Sequence, residues 1–278
     1  EQIKKLMKLI RYIDSQGNIQ YGSHKGNNGT TRIIGDIFQD FEDSGDSADI
    51  VKLLTPFEPN DIICIGMNYR QHAFESKIAI PEHPIVFMKN SGSIQNPNDP
   101  IVIPGKLLSE KVDYECELAV VIGKTCFNVS KSKALEYVLG YTCANDVSAR
   151  DWQNRDSAGQ LSRSKTFATF CPFGPWIVTP DEIVDPNQLG IRTILNGQKM
   201  QDSNTSDMIF DVETIIEFLS GSTNLRAGTM ILTGTPQGIG YSREPPVFMK
   251  DGDEVTIEID KIGFLTNTLI KENDFYKA

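Results

Sequence analysis

Apolar and polar positions alternate through most of this chain with a period of two, the spacing of a half-buried β-strand. Residues 7–22 (MKLIRYIDSQGNIQYG) alternate on both sides of a Gly-containing turn and predict a hairpin. Residues 26–49 are polar and crowded with Gly, Asn, Asp and Ser, which predicts a small, partly irregular N-terminal unit. The run TPFEPN at 55–60 then punctuates the chain before the apolar segment IICIG at 62–66. A boundary there divides the chain into a small N-terminal domain over 1–58 and a larger domain over 59–278.

Strand-like segments dominate the larger part: 84–88, 101–103, 114–122, 176–179, 192–196, 229–233 and 254–259. Asn196-Gly197 and Asp251-Gly252 each lie between such runs and predict tight hairpins. Helical spacing is scarcer. It covers 132–139 and 211–219, where Val212, Ile215, Ile216 and Leu219 fall on one face. No repeat or βαβ rhythm appears. The predicted fold class is β-rich α+β, with a few helices and many loops.

Composition narrows the function more than the fold. The 278 residues hold 27 Lys and Arg against 37 Asp and Glu, a net charge of −10 that is the wrong sign for binding nucleic acid. No apolar run approaches the ~20 residues that cross a bilayer, so no membrane partner is expected. The five cysteines form no C-x-x-C pair and mostly sit in apolar runs, the usage of buried thiols in a reducing, intracellular setting. The chain opens on Glu1, which reads as a trimmed product and leaves mitochondrial and cytoplasmic locations both open. His24, His72 and His83 stand in no zinc-like spacing with the cysteines.

The acids suggest where chemistry sits. Residues 112–122 (VDYECELAVVI) begin polar and end as a continuous apolar strand. Glu115 and Glu117 therefore share a face, ~7 Å apart along the chain. Two adjacent carboxylates at the mouth of a buried strand repel each other unless a cation joins them; the segment alone is equally consistent with a solvated strand end. Residues 145–153 (NDVSARDWQ) follow another apolar run, and Asp146 completes a set of three carboxylates. Arg150 and Gln153 come next at helical spacing. Oxygen-only ligands favour Mg²⁺, Mn²⁺ or Ca²⁺ and leave octahedral positions open for water and substrate.

Five segments in register, 63–75 (ICIGMNYRQHAFE), 112–124 (VDYECELAVVIGK), 145–153 (NDVSARDWQ), 164–167 (SKTF) and 230–238 (MILTGTPQG), resemble the fumarylacetoacetate hydrolase family. FCPFGP at 170–175 and PPVFMKDGDE at 245–254 make the chain most similar to the domain-containing protein 2 group of that family. The resemblance covers essentially residues 60–270 and implies a mixed β-sandwich roll with a small N-terminal extension. It places the metal ligands on Glu115, Glu117 and Asp146, with Mg²⁺ or Mn²⁺ as the ion. It places proton or water handling on His72 and Glu75, whose i, i+3 spacing puts them on one side of a helical turn. Lys165 falls on the family's lysine near the site. Arg150, Gln153 and Thr235 fall on positions that face the substrate's carboxylate or metal-bound water. One departure is visible: Ala168 stands where many members carry Asp.

The implied substrate is a small 2-oxo acid that chelates the metal through its carboxylate and keto oxygens, so that an enolate is stabilised when a proton or acyl group leaves C3. Oxaloacetate keto-enol tautomerisation is the first expectation. Hydrolysis of acylpyruvate or fumarylacetoacetate type, or oxaloacetate decarboxylation, is the alternative. The resemblance also implies a homodimer, with the apolar segment around Phe248 and Met249 as a candidate contact.

Overall fold

The computed structural model describes residues 7–154 and 159–275. Among these residues two sheets carry most of the structure. The larger has twelve strands. Its main path runs Phe41–Ser47, Thr30–Gly35, Ile19–His24, Lys8–Ile13, Cys171–Val178, Val138–Asn145, Cys116–Ile122, Thr229–Leu232, Asp61–Gly66 and Ile85–Lys89. The second has five strands, in the order Gln198–Asn204, Gly190–Leu195, Glu254–Ile259, Gly263–Lys271 and Ile101–Ile103. Pairing is mostly antiparallel, with Thr229–Leu232 parallel to Asp61–Gly66. The larger sheet stays open, since its two end strands do not meet. The β-rich α+β expectation describes this architecture.

The period of two explains the central strand. Cys116–Ile122 is buried along its whole length. Leu118, Val120 and Ile122 enter one hydrophobic cluster with Ile191, Ile257 and Leu265 of the five-stranded sheet. Ala119 and Val121 point the other way, into a second cluster with Leu9, Phe57, Phe173 and Met230. A strand covered on both faces has no reason to alternate, hence the uninterrupted apolar run.

The N-terminal segment extends the larger sheet, with Lys8 opposite Val178 and Leu9 opposite Ile177. The 7–22 hairpin forms as its alternation predicts. Residues 26–49 are more regular than their composition suggested, because Thr30–Gly35 and Phe41–Ser47 are strands. Their polarity suits a sheet edge, where charged side chains discourage pairing with other chains.

Two further expectations need correction. Residues 132–139 do not form an α-helix. Lys131–Tyr137 is a 3₁₀ helix, and Val138 already belongs to the next strand, opposite Ile122. Burial of that β-branched pair in the sheet overrides the helical spacing. Asn196-Gly197 does turn a hairpin, both residues having positive φ. Asp251-Gly252 turns the chain into Glu254–Ile259 without a paired strand before it. Pro245 and Pro246 cannot donate to a ladder, and Met249 is instead buried in the main cluster with its N–H donated to Val112 O at 2.8 Å. The Phe248–Met249 segment is therefore not an exposed apolar hairpin.

The helix Val212–Ser220 keeps its expected place, with Val212, Ile215 and Ile216 buried. Asp211 caps it, accepting from Thr214 N at 2.9 Å and from Lys131 Nζ at 2.6 Å. No helix is long and apolar enough to cross a membrane among the described residues. All five cysteines are free and buried.

Partial burial opposes ionisation of Asp211, but Lys131 and Thr214 outweigh it and hold the carboxyl below its ordinary 3.8. Asp211→Ala is expected to cost about 1 kcal/mol in a denaturant titration at neutral pH. The difference from wild type should persist above pH 3.8 and shrink as pH falls through the lowered value, because a depressed carboxylate stabilises the fold only while ionised.

Candidate metal centre and active site

The antiparallel register of the two central strands assembles the acids. Cys116 lies opposite Asn145, and Asp146 N donates to Glu115 O at 2.9 Å, so the end of one strand meets the end of the other. Glu117 shares the parity of Ala119 and Val121, and Asp146 that of Ala144, which places these acids on the face of the second cluster. Glu115, Glu117 and Asp146 are all buried and offer carboxylate oxygens within 4.8 Å of one another.

Cations surround two of the three. Lys165 Nζ lies 3.0 Å from Glu115 Oε2, 2.5 Å from Asp146 Oδ2 and 2.8 Å from Ser148 Oγ. Lys89 Nζ meets the other Asp146 oxygen at 2.6 Å. Arg150 Nη2 lies 2.7 Å from Glu115 Oε1, while its Nε donates to Asp113 and its Nη1 to Gln153. Burial alone would raise the Glu115 carboxyl, but Lys165 and Arg150 reverse this and hold it at about 2. Lys165 is driven above its ordinary 10.5 by Asp146 and Glu115 against the opposing effect of burial.

Glu117 differs. It accepts one backbone N–H, from Gly234 at 2.7 Å, and faces the other two acids. Burial, then Asp146 and Glu115, push its carboxyl well above the usual range. Gly234 itself is required: its φ is +99°, and a Cβ there would lie 2.7 Å from Asn68 Cβ. A divalent cation suits this centre, because three converging oxygens with one carboxylate poorly compensated are what such an ion neutralises. Glu115, Glu117 and Asp146 are the residues that would hold it.

His72 and Glu75 lie on the short helix Arg70–Glu75, whose Gln71 N–H donates to Asp207 Oδ2 at 2.9 Å. His72 Nδ1 is 3.4 Å from Glu75 Oε2. Gly238 N–H lies 3.2 Å from both Glu75 oxygens. The His72 hydrogen bond and the Gly238 amide hold the Glu75 carboxyl below its ordinary value against partial burial. Thr235 Oγ1 accepts from Gln201 Nε2 at 2.9 Å, which leaves its own hydrogen to donate elsewhere. His24 and His83 lie apart from this centre, stacked on Trp176 and Phe218.

The structure thus brings the three acids together with Lys165, Arg150 and Gln153, and sets His72 and Glu75 on a helix tied through Gly238 to the segment whose Gly234 holds Glu117. It also reveals Lys89 and Asp113, neither of which stood out in the sequence. Lys89 ends an apolar strand, so a buried lysine there was the available signal. Asp113 immediately precedes the acidic pair and reads from sequence as part of a polar strand entry. Arg150 sets its three guanidinium nitrogens against Asp113, Gln153 and Glu115, so it holds Glu115 on one side and Asp113 on the other.

Residues 61–270 match the family described as fumarylacetoacetate hydrolase, C-terminal. The chain belongs to the fumarylacetoacetate hydrolase family. It is 49% identical over 227 residues to a fumarylacetoacetate hydrolase domain-containing protein 2 homolog from Dictyostelium discoideum, covering 78% of this chain and 74% of that one. It is 48% identical over 221 residues to a mitochondrial oxaloacetate tautomerase of Xenopus laevis, covering 79% and 69% of the two chains. Among solved structures, the fumarylacetoacetate hydrolase of Exiguobacterium antarcticum superposes with a TM-score of 0.86 at 35% identity, over 96% of this chain and 100% of the other. A 5-carboxymethyl-2-hydroxymuconate delta-isomerase from Mycobacterium smegmatis gives 0.83 at 38% identity, with the same coverage. This fumarylacetoacetate hydrolase family member therefore shares its architecture with both isomerases and a hydrolase.

Lys89→Met removes one of the two lysines on Asp146 and leaves a buried carboxylate oxygen without its cation. It is expected to destabilise the metal-free protein by about 3 kcal/mol, read from denaturant midpoints.

Proposed function

We propose that this chain is a divalent-metal-dependent enzyme that interconverts keto and enol forms of a small 2-oxo dicarboxylate of oxaloacetate type. The observation that carries the reading is the buried Glu115, Glu117 and Asp146 triad, compensated by lysines and set beside the His72–Glu75 pair. Relatives that bear the oxaloacetate tautomerase name support the choice of substrate.

A Mg²⁺ or Mn²⁺ ion held by the three carboxylates supplies Lewis-acid stabilisation of the charge that develops on the 2-oxo oxygen. The protein's own groups set the rest. At this centre the four buried acids Asp113, Glu115, Glu117 and Asp146 outnumber the three buried cations Lys89, Arg150 and Lys165 by one. With a divalent ion bound to Glu115, Glu117 and Asp146 the balance would reverse, and the centre would attract an anionic acid. The Thr235 hydroxyl, its rotor set by Gln201, donates to the substrate's carboxylate. Glu75 stays ionised and orients His72, which takes the proton from C3 and returns it in the reverse direction. Lys165, held protonated among the ligands, keeps Glu115 and Asp146 in place, and His72 passes the C3 proton on to the 2-oxo oxygen. One proton leaves carbon and one arrives at oxygen, with no change of oxidation state.

A second reading is C–C hydrolysis, in which His72 and Glu75 activate a water against a 4-oxo group; the hydrolase from Exiguobacterium antarcticum favours it. The two separate in one comparison. Metal-loaded protein is expected to accelerate the loss of enol-oxaloacetate absorbance. Efficient cleavage of acetylpyruvate without that acceleration would sink the tautomerase reading in favour of the hydrolase.

A homodimer goes with this reading. The strand Ile85–Lys89 ends the larger sheet with Ile85, Val86 and Met88 exposed, and Phe74, Ile78 and Ile80 are exposed on the segment before it. An apolar edge of this kind pairs readily with a second copy. Light scattering should give a dimer for the wild type and a shift toward monomer for Val86→Lys.

Glu117→Ala should lower turnover by at least ~100-fold, more than the loss of groups that merely orient metal ligands. Circular dichroism should show the fold retained. A variant with near-normal turnover would remove Glu117 from the metal set.

A further inference from the structure

We propose that Asp113 is a positioning residue that couples the metal centre to the His72–Glu75 pair. This rests on the metal-centre reading above. Asp113 is fully buried, and its carboxylate joins two parts of the site. Oδ2 accepts from Arg150 Nε at 2.8 Å, and the same guanidinium lies 2.7 Å from Glu115 Oε1. On its other side Asp113 holds a loop, with Gly240 N–H donating to Oδ1 at 2.8 Å and Tyr241 N–H to Oδ2 at 2.9 Å.

That loop begins at Gly238, whose N–H sits on both oxygens of Glu75. Its carbonyl accepts from the hydroxyl of Tyr114, the residue next to Asp113, at 3.2 Å. The loop can approach this closely only as glycine, since a Cβ on Gly240 would meet Val247 O at 1.8 Å and Asp113 Oδ1 at 2.6 Å. A continuous path therefore runs from His72 through Glu75, the Gly238–Tyr241 amides, Asp113 and Arg150 to Glu115.

The links at Asp113, Arg150 and Glu115 are charge-assisted hydrogen bonds or ion pairs between buried groups, where replacing an acceptor by a donor is costly. Asparagine at position 113 would preserve shape but aim an NH₂ group at a site that receives only donors. Arg150 and the loop could then no longer both be satisfied. A change at Glu115 on cation binding would reach Arg150, and Asp113 would carry it to the loop that holds Glu75.

The test uses the whole protein with Mn²⁺ as the probe. Hydrogen exchange of the 238–243 segment is expected to slow about 10-fold when Mn²⁺ binds, although none of its residues is a ligand. Asp113→Asn should abolish that protection and weaken Mn²⁺ binding, read by calorimetry, by about 10- to 100-fold. At saturating Mn²⁺ its kcat should fall with KM little changed, the split given by a residue that acts through Glu75 rather than by binding substrate.

Wild type that binds Mn²⁺ while 238–243 exchanges as before overturns the coupling alone. An Asp113→Asn protein with wild-type affinity and protection does the same. If that variant does not fold, the wild-type exchange measurement decides. Wild type that binds no Mn²⁺ overturns the metal centre itself, and the coupling with it.

Discussion

Three carboxylates buried side by side are the constraint on which the rest of this site depends. Removed from water, such groups repel one another and lose hydration that only nearby positive charge replaces. Lys165 spans Glu115 and Asp146, Lys89 takes the second oxygen of Asp146, and Arg150 takes the second oxygen of Glu115. Glu117 is left with an amide and with two like charges in front of it. The imbalance is directional, and it marks the side on which a divalent cation would relieve the repulsion.

The two-sheet architecture makes such a concentration of charge tolerable. The strand that carries Glu117 also carries Leu118, Val120 and Ile122 on one face and Ala119 and Val121 on the other, each packed into its own cluster. Stability is thus spread over two hydrophobic layers, and the electrostatic strain is confined to the strand mouths. The antiparallel pairing of Cys116 with Asn145 brings those mouths together and fixes the distance between acids separated by some thirty residues in the chain.

Within a family that holds both isomerases and a hydrolase, the proposed reaction draws on three converging carboxylates beside the His72–Glu75 pair, which tautomerisation and hydrolysis would both use. His72 and Glu75 belong to a six-residue helix held by Asp207 at its start and by Gly238 at its end. Their placement depends on loops, and loops are where related members differ while the sheets remain.

Much of this was legible in the chain itself. Period-two alternation at 7–22 and 254–259, the doubly apolar run at 118–122 and the one-sided helix after Asp211 are local consequences of side-chain periodicity. The i, i+2 spacing of Glu115 and Glu117 and the i, i+3 spacing of His72 and Glu75 are local in the same sense. Only the tertiary structure could show that Lys89 and Asp113 belong to the site, because their partners lie far along the chain and a buried ion pair leaves no period. The same holds for 132–139, where pairing of Val138 with Ile122 outweighed a helical pattern, and for Met249, which looked like surface and is core. Periodicity is written in the order of residues, whereas the compensation of a buried charge is decided by which strand ends the fold brings together.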